Sequence, residues 1–368
     1  MSTHLNRRVV LVGLASAGIV PATARALPAS IGNDWPIAQP EEVGLDAVRL
    51  AVAADQLAAL GERQGLVIVR DGRLAFERYW TNDYHRADPA WRNVSFSSGK
   101  SWGATMVARA AIMGKLTIDD LASRYVPAVR TGLHPDTRIH HLLTMSSGGS
   151  LVTKPSSKPP RKLTDTTPPR TPDEYHRSVR KSEERGAPEG YGVSILPGQT
   201  FFYDGAAADH LAEIVSAATG RPSYDFMMRD VIDRLGCRHV DYQPEGVDHN
   251  RDVRIGGSML IACRDMARLG QLYLDRGRWN GRPLIDTAFV DAATRSSPRN
   301  PDYGYLWWLN TSGRISHAPR TMYFAAGARG QFCFVVPERR LIVSTMGFGA
   351  EQLSAQRAWE ILGSTLLV

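Results

Sequence analysis

Apolar and polar positions repeat with two different periods along this chain, and each change of period marks an element. From Asp46 to Leu60, alanines and leucines recur at helical spacing. Gly65-Leu-Val-Ile-Val-Arg70 and Arg73-Leu-Ala-Phe-Glu-Arg-Tyr79 are β-prone runs. Asp71-Gly72 between them supplies the positive φ angles of a tight hairpin turn. A helical run from Gly103 to Met113 ends near Gly114-Lys115, and Leu116 to Leu121 predicts entry into another helix capped by an aspartate. Arg138 to Gly149 predicts a short apolar helix stopped by glycines, and Ala206–Thr219 and Cys263–Leu274 predict longer ones. Gln331–Val336 and Leu341–Met346, joined by Pro337-Glu-Arg-Arg340, predict a second hairpin, and Glu351–Leu367 a closing helix. Strands at both ends with helices between them predict one sheet built from the two ends of the chain around a helical insertion.

Residues 151–195 break this pattern. Six prolines fall between Lys154 and Arg185, with nine Lys/Arg against five Asp/Glu and few apolar residues. Such a stretch predicts a long loop, either a surface excursion or a positively charged flap over a site. The expected division is therefore 27–100 for the first part of an α/β domain, 101–290 for a mostly helical domain carrying the loop, and 291–368 for the second part of the α/β domain.

The first residues have another character. Asn6-Arg7-Arg8 precedes the apolar stretch Val9–Val20, and Ala24-Arg25-Ala26 offers the small residues a signal peptidase requires. Residues 1–26 are expected to be an export signal of the twin-arginine kind, which implies a periplasmic or secreted bacterial protein. No apolar run reaches the roughly 20 residues of a spanning helix, so no membrane span is expected after cleavage.

Composition narrows the classes further. Hydrophobic content of 43% with 22% charged residues is that of a globular protein with a sizeable core. The formal charge of +7 includes three arginines of the export segment, and the basic loop accounts for most of the remainder. No general basic surface is implied, and no nucleic-acid partner is expected. Cys237, Cys263 and Cys333 show neither metal spacing nor a disulfide framework. Buried small hydrophobes are the default for all three, with a Cys237–Cys263 or Cys263–Cys333 bond left open. His140 and His141 lack a second ligand pair at a metal-binding spacing, and the ten histidines include no His-Glu-x-x-His. No metal and no cofactor are expected.

The candidate chemistry lies in Phe96-Ser97-Ser98-Gly99-Lys100-Ser101-Trp102, at the head of a helix. At helical spacing Ser97 and Lys100 share a face, one turn apart. A serine hydroxyl becomes a nucleophile when a neighbouring base takes its proton, and a lysine serves as that base when burial or positive potential disfavours its ammonium form. Taken alone, a serine-rich helix start followed by lysine is also ordinary capping chemistry.

Further motifs follow in order: His141-Leu-Leu-Thr144 with Ser147-Gly148, and Pro197-Gly198 before Phe202-Tyr203. Next come Gly256-Gly257-Ser258 before Asp265-Met-Ala-Arg268, and Gly327-x-x-Gly330-Gln331. From about residue 40 to the C-terminus this order resembles the serine β-lactamase-related hydrolases. That group includes class C β-lactamases, D-alanyl-D-alanine peptidases, esterases and 6-aminohexanoate-oligomer hydrolases. The resemblance implies an α+β fold of the β-lactamase/transpeptidase type: a central antiparallel sheet flanked by helices, a mostly helical second domain, and the site between them. It implies Ser97 as nucleophile, Lys100 as base and Tyr203 as proton relay. It also implies an oxyanion hole from the backbone N–H groups of Ser97 and Ala328.

Two departures qualify the substrate. Gly205 stands where the family's Tyr-x-Asn places an amide, and Ala325-Ala326-Gly327 stands where β-lactamases and peptidases carry Lys-Thr-Gly. The expected activity is therefore acyl-enzyme hydrolysis of carboxylic esters. Amides of the 6-aminohexanoate-oligomer or D-amino peptide type come second, and efficient β-lactamase activity is disfavoured. Gly327, Arg329, Trp102 and Trp307 are the expected substrate-binding residues, with core packing the competing role for the aromatic ones. The expected partner is a small ester or amide; no motif specifies an oligomeric state. A non-catalytic protein binding a cell-wall ligand on the same fold is the reading from another class, and the joint presence of Ser97, Lys100 and Tyr203 argues against it.

Overall fold

The computed structural model describes residues 35–82, 86–149, 194–348 and 353–367. The expected export segment, and all but the last two residues of the stretch expected to be a basic loop, lie outside them.

Helix α1 (Ala47–Ala59) starts where the Asp46 carboxylate accepts the Arg49 N–H at 2.9 Å. Such a side-chain cap satisfies one of the orphan donors of the first turn. Strands β1 (Arg63–Arg70) and β2 (Arg73–Tyr79) follow as the expected hairpin, with φ of 54° at Asp71 and 71° at Gly72. Two-residue strand β3 (Asn93–Val94) leads into a 3₁₀ turn at Phe96–Ser98 and helix α2 (Gly99–Ile112). Helix α3 (Ile139–Leu143) and helix α4 (Gly205–Thr219) come next. Short strands β4 (Val240–Tyr242) and β5 (Met259–Ile261) then precede helix α5 (Cys263–Leu274). The chain closes with β6 (Trp308–Leu309), β7 (Tyr323–Gly327), β8 (Gln331–Val336), β9 (Leu341–Gly347) and helix α6 (Ala355–Leu366).

The main sheet is antiparallel throughout, in the order β2-β1-β9-β8-β7-β6, so its centre joins the first strands of the chain to the last. In register, Ile68 faces Val343 and Phe334 faces both Val343 and Phe324. Strands β8 and β9 are buried along their whole length, because helices cover both faces of the sheet. Strand alternation divides β8 between them: Phe334 packs on Trp359 of α6, while Cys333 and Val335 approach Gly270 of α5. Burying a side chain of this size contributes about 1.5–3 kcal/mol. A second sheet, β3-β5-β4, ties the segment before Ser97 to the middle of the chain through the Ser95 N–H, which donates to the Met259 carbonyl at 2.8 Å.

Three details differ from the sequence reading. No long helix follows Leu121; Asp120 instead accepts the Thr117 N–H and the Tyr125 hydroxyl, closing a turn that continues as one 3₁₀ turn at Ala122–Arg124. Helix α5 lies within the stretch assigned to the helical domain, 101–290, yet it packs on β1, β8 and β9. Sequence position does not separate the two layers there. All three cysteines are buried free thiols, so neither disulfide left open is made.

Candidate active site

Ser97 sits in the 3₁₀ turn that opens α2. The residue before it, Phe96, has φ of 46°, a left-handed conformation that costs a non-glycine residue about 1–3 kcal/mol. Burial of its surroundings holds it there: Ser95 and Ser98 are fully buried, and Ser98 Oγ donates to the Ser95 carbonyl at 2.7 Å. Ser97 itself stays partly exposed.

Lys100, one turn along and 3% exposed, places Nζ 3.1 Å from Ser97 Oγ and 3.0 Å from the Gly256 carbonyl, donating to both. Gly256 is itself held, since its N–H donates to Asp209 Oδ1 at 2.8 Å. Asp209, Gly256, Lys100 and Ser97 thus form a continuous chain of contacts from α4 to α2. Burial raises the Asp209 carboxyl above its ordinary range, against the pull of the Gly256 N–H and the Lys100 charge.

Tyr203 completes the group. Lys100 Nζ lies 4.9 Å from its ring centroid, close enough for cation–π attraction. The ring stacks on Trp308 (centroids 5.6 Å, planes 18° apart) and meets Tyr303 edge-on at 6.2 Å. Its backbone is fixed on both sides: Phe202 N–H donates to the Met145 carbonyl at 2.8 Å, and Asp204 caps α4 by accepting the Ala207 N–H. The short apolar helix α3 and its glycine-rich exit therefore serve to seat Tyr203. Ser101 Oγ, donating to the Leu306 carbonyl at 2.7 Å, fastens to α2 the segment 303–308, which carries Tyr303 and Trp308.

The end of β7 runs against the Ser97 turn. A Cβ on Gly327 would lie 2.2 Å from the Ser95 carbonyl and 3.0 Å from the Ser98 nitrogen, so only glycine permits this approach. Ala328 follows in a tight 328–330 turn closed by the Gly327–Gln331 strand pair. Arg329 has φ of 61°, and its guanidinium lies 5.5 Å from the Phe96 ring centroid. Strand alternation would have sent Arg329 to the face opposite Ala328. The strand ends at Gly327, however, and the turn carries Arg329 back to the Ser97 side.

Ser97, Lys100, Tyr203, Gly327, Ala328 and Arg329 are thus brought to one region. Trp102 and Trp307 are not, which corrects their expected substrate contact. Both are fully buried. Trp102 is on a helix in which all eight residues from 101 to 108 are buried, and Trp307 packs on Tyr273 and Tyr323 in the core. Its neighbour Trp308 points the other way and backs Tyr203, as alternation in an extended segment requires. Asp209 escaped the sequence reading, although its spacing of four from Gly205 places both on one face of α4. Among the described residues no group of three His, Cys, Asp or Glu side chains is arranged to hold a metal ion.

A model of the family described as Beta-lactamase matches residues 53–360. A β-lactamase of Psychrobacter immobilis is 31% identical over 101 residues, 26% of this chain and 25% of that protein. One of Pseudomonas fluorescens is 22% identical over 178 residues, 48% of this chain and 44% of its own length. The chain therefore matches less than half the length of these curated relatives. Among solved structures, EstCE1, a hydrolase with promiscuous acyltransferase activity, superposes with a TM-score of 0.65 at 16% identity, over 89% of this chain and 99% of that one. A penicillin-binding protein homologue from Caulobacter crescentus gives 0.63 at 15% identity over 89% and 97%. A candidate 6-aminohexanoate-dimer hydrolase from Bacillus anthracis gives 0.61 at 17% identity over 85% and 80%. At these identities the structures show a common fold.

Proposed function

The chain belongs to the beta-lactamase family, and from that premise we propose that it is an exported serine hydrolase whose preferred substrates are carboxylic esters. The observation that carries this reading is the 3.1 Å contact between Lys100 Nζ and Ser97 Oγ, buried on the lysine side and open on the serine side. In the proposed reaction Lys100 acts as the base and takes the Ser97 proton as Oγ attacks the substrate carbonyl carbon. Negative charge moves to the carbonyl oxygen, where the N–H groups of Ser97 and Ala328 receive it. The tetrahedral adduct collapses as the carbon–leaving-group bond breaks, and the proton on Lys100 reaches the leaving oxygen or nitrogen through the Tyr203 hydroxyl. Water then attacks the acyl-enzyme by the same route in reverse, releasing the acid and free Ser97.

Two features favour esters. Position 325, where relatives that bind a substrate carboxylate carry lysine, is an alanine with no exposure at all, so this position presents nothing to substrate. Gly205 leaves open the space beside Lys100: a Cβ there would lie at ordinary contact distance, 3.8 Å, from Cε and Nζ. The amide that the family's Tyr-x-Asn places there is absent. Losing one charge-assisted contact costs about 1.5–3 kcal/mol. That lowers affinity for carboxylate-bearing lactams and peptides and leaves simple esters unaffected. Export rests on the Arg7-Arg8 signal and its small-residue cleavage site after Ala26.

The test is a hydrolysis panel on the purified protein and its Ser97→Ala variant, with p-nitrophenyl acetate and butyrate, a 6-aminohexanoate dimer, nitrocefin and a D-alanyl-D-alanine peptide. Ester turnover that disappears in Ser97→Ala, with an acyl adduct on Ser97 by mass spectrometry, is the expected result. Nitrocefin or peptide cleavage exceeding ester cleavage would reverse the substrate order. Full ester turnover in Ser97→Ala would remove the serine mechanism.

A further inference from the structure

Arg63 stands outside the Ser97–Lys100–Tyr203 group, at the first position of β1, and it is 4% exposed. A guanidinium is rarely buried without a carboxylate, because its desolvation must be offset. Among the described residues no carboxylate pairs with Arg63. Its hydrogen bonds go to two backbone carbonyls, from Nη1 to Arg329 at 3.2 Å and from Nη2 to Gly330 at 2.7 Å, while Nε has no partner. The pocket around it is cut to its shape by two glycines. A Cβ on Gly330 would lie 2.8 Å from Nη1, and one on Gly347 only 2.3 Å from Cζ.

Both acceptor carbonyls belong to the turn that begins with Ala328, where Arg329 is held at φ of 61°. A left-handed non-glycine residue relaxes unless its surroundings over-determine it. The Arg63 fork does this, fixing two successive carbonyls on the side of the turn that faces β1 and β9. The 329–330 and 330–331 peptide planes are then set, and the Ala328 N–H, on the 327–328 peptide, is held between them and the Gly327–Gln331 pair that closes the turn.

We propose that Arg63 is a positioning residue for the reaction, holding the 328–330 turn so that the Ala328 N–H meets the developing oxyanion. The proposal rests on the oxyanion role given to Ala328 above. A lysine is a poor replacement for this group, since an ammonium offers rotatable donors on a single nitrogen and lacks the planar fork that holds two carbonyls in one orientation. An oxyanion donor acts on the transition state more than on bound ester, so loss of aim appears in kcat and not in KM.

The experiment is steady-state hydrolysis of p-nitrophenyl acetate and butyrate by the full chain and by Ser97→Ala, Arg63→Lys, Arg63→Ala and Gly347→Ala, each checked for its thermal transition. Arg63→Lys is expected to lose 10- to 100-fold in kcat with KM within about twofold. Millimolar guanidinium added to Arg63→Ala should restore several-fold of the lost kcat saturably, which a general loss of packing would not allow. Should neither Arg63 variant fold, Gly347→Ala decides, because its methyl pushes the guanidinium away from the two carbonyls while the chain keeps its arginine, and a kcat loss of at least tenfold is expected. A folded Arg63→Lys with wild-type kcat, or a folded Gly347→Ala with wild-type kcat where the Arg63 variants fail, overturns the proposal. Absence of Ser97-dependent turnover in the parent protein would instead overturn the hydrolase reading itself.

Discussion

At the scale of single residues, the Ser97–Lys100 pair is braced by groups outside it. Lys100 has two acceptors, and one of them, the Gly256 carbonyl, belongs to a residue whose own N–H, on the preceding peptide, is held by Asp209. Asp209→Ala removes that acceptor and loosens the backbone at Gly256, on which the carbonyl depends for its aim, so kcat/KM for esters is expected to fall at least tenfold with the thermal transition little changed. Asp209→Asn keeps an acceptor oxygen at the same reach and should retain most of the rate. Equal losses in both variants would show that the negative charge, and not the hydrogen bond, is what matters. The contrast with Ser97 and Lys100 explains what the sequence made legible. Those two are three residues apart on one helix, so helical geometry alone brings them together. Asp209 is linked by hydrogen bonds to Lys100 through Gly256, 47 residues away, and Arg63 reaches the 328–330 turn across 267. No local pattern encodes such contacts.

Single elements were readable wherever local chemistry and burial agree. The first hairpin carries the glycine its turn favours, the second was readable from its strands although Arg340 takes φ of 44° in its turn, and α4 and α5 begin and end within a residue of the apolar periodicity. The stretch after Leu121 misled because an aspartate that caps a helix and one that closes a turn look alike in sequence. Helix α3 shows how one element couples to pH. The His141 Nδ1 accepts the Arg138 N–H at 3.1 Å, an interaction open only to the neutral ring. Burial, with His140 and Arg138 nearby, pushes His141 down to about 4 from an ordinary value of 6.5. Between these values the unfolded chain binds more protons than the folded one, so stability rises with pH. The contribution is complete above pH 6.5 and lost as pH falls through about 4. His141→Asn keeps an acceptor and does not titrate. The difference in Tm between the parent and His141→Asn should therefore shrink steadily on acidification across that window, and a constant difference would show that His141 does not carry the effect.

For the molecule as a whole, the sheet places β1 beside β9, so neither end of the chain completes the core alone. That closure was foreseeable, because apolar strands at the two ends leave few other ways to bury their faces. The placement of α5 was not, since a helix in the middle of the chain gives no sign of which layer it joins. It spans the junction: a Cβ on Gly270 would lie 2.8 Å from Ile342 Cγ2, 2.9 Å from Cys333 Sγ and 3.2 Å from Val335 Cγ2. Cys263, at the head of the same helix, lies 3.3 Å from the Ser344 carbonyl, and its Cβ would meet a Cβ on Gly65 of β1 at 3.1 Å. Overpacking at such a site costs about 1–3 kcal/mol, while replacing a helical glycine by alanine returns up to about 1 kcal/mol through backbone entropy. Gly270→Ala should therefore be mildly destabilising. Gly270→Val adds two further methyl groups and a poor helix former, and should lower Tm by about 5 °C or more. Because the helix holds strands from both ends together, the loss should come as one cooperative transition, with near-ultraviolet circular dichroism and Ser97-dependent ester turnover disappearing at the same temperature. Separate transitions for the two signals would mean that the helical layer carrying Ser97 and Lys100 folds without the sheet, and that the β7 end contributed by the last third of the chain is not what makes the site.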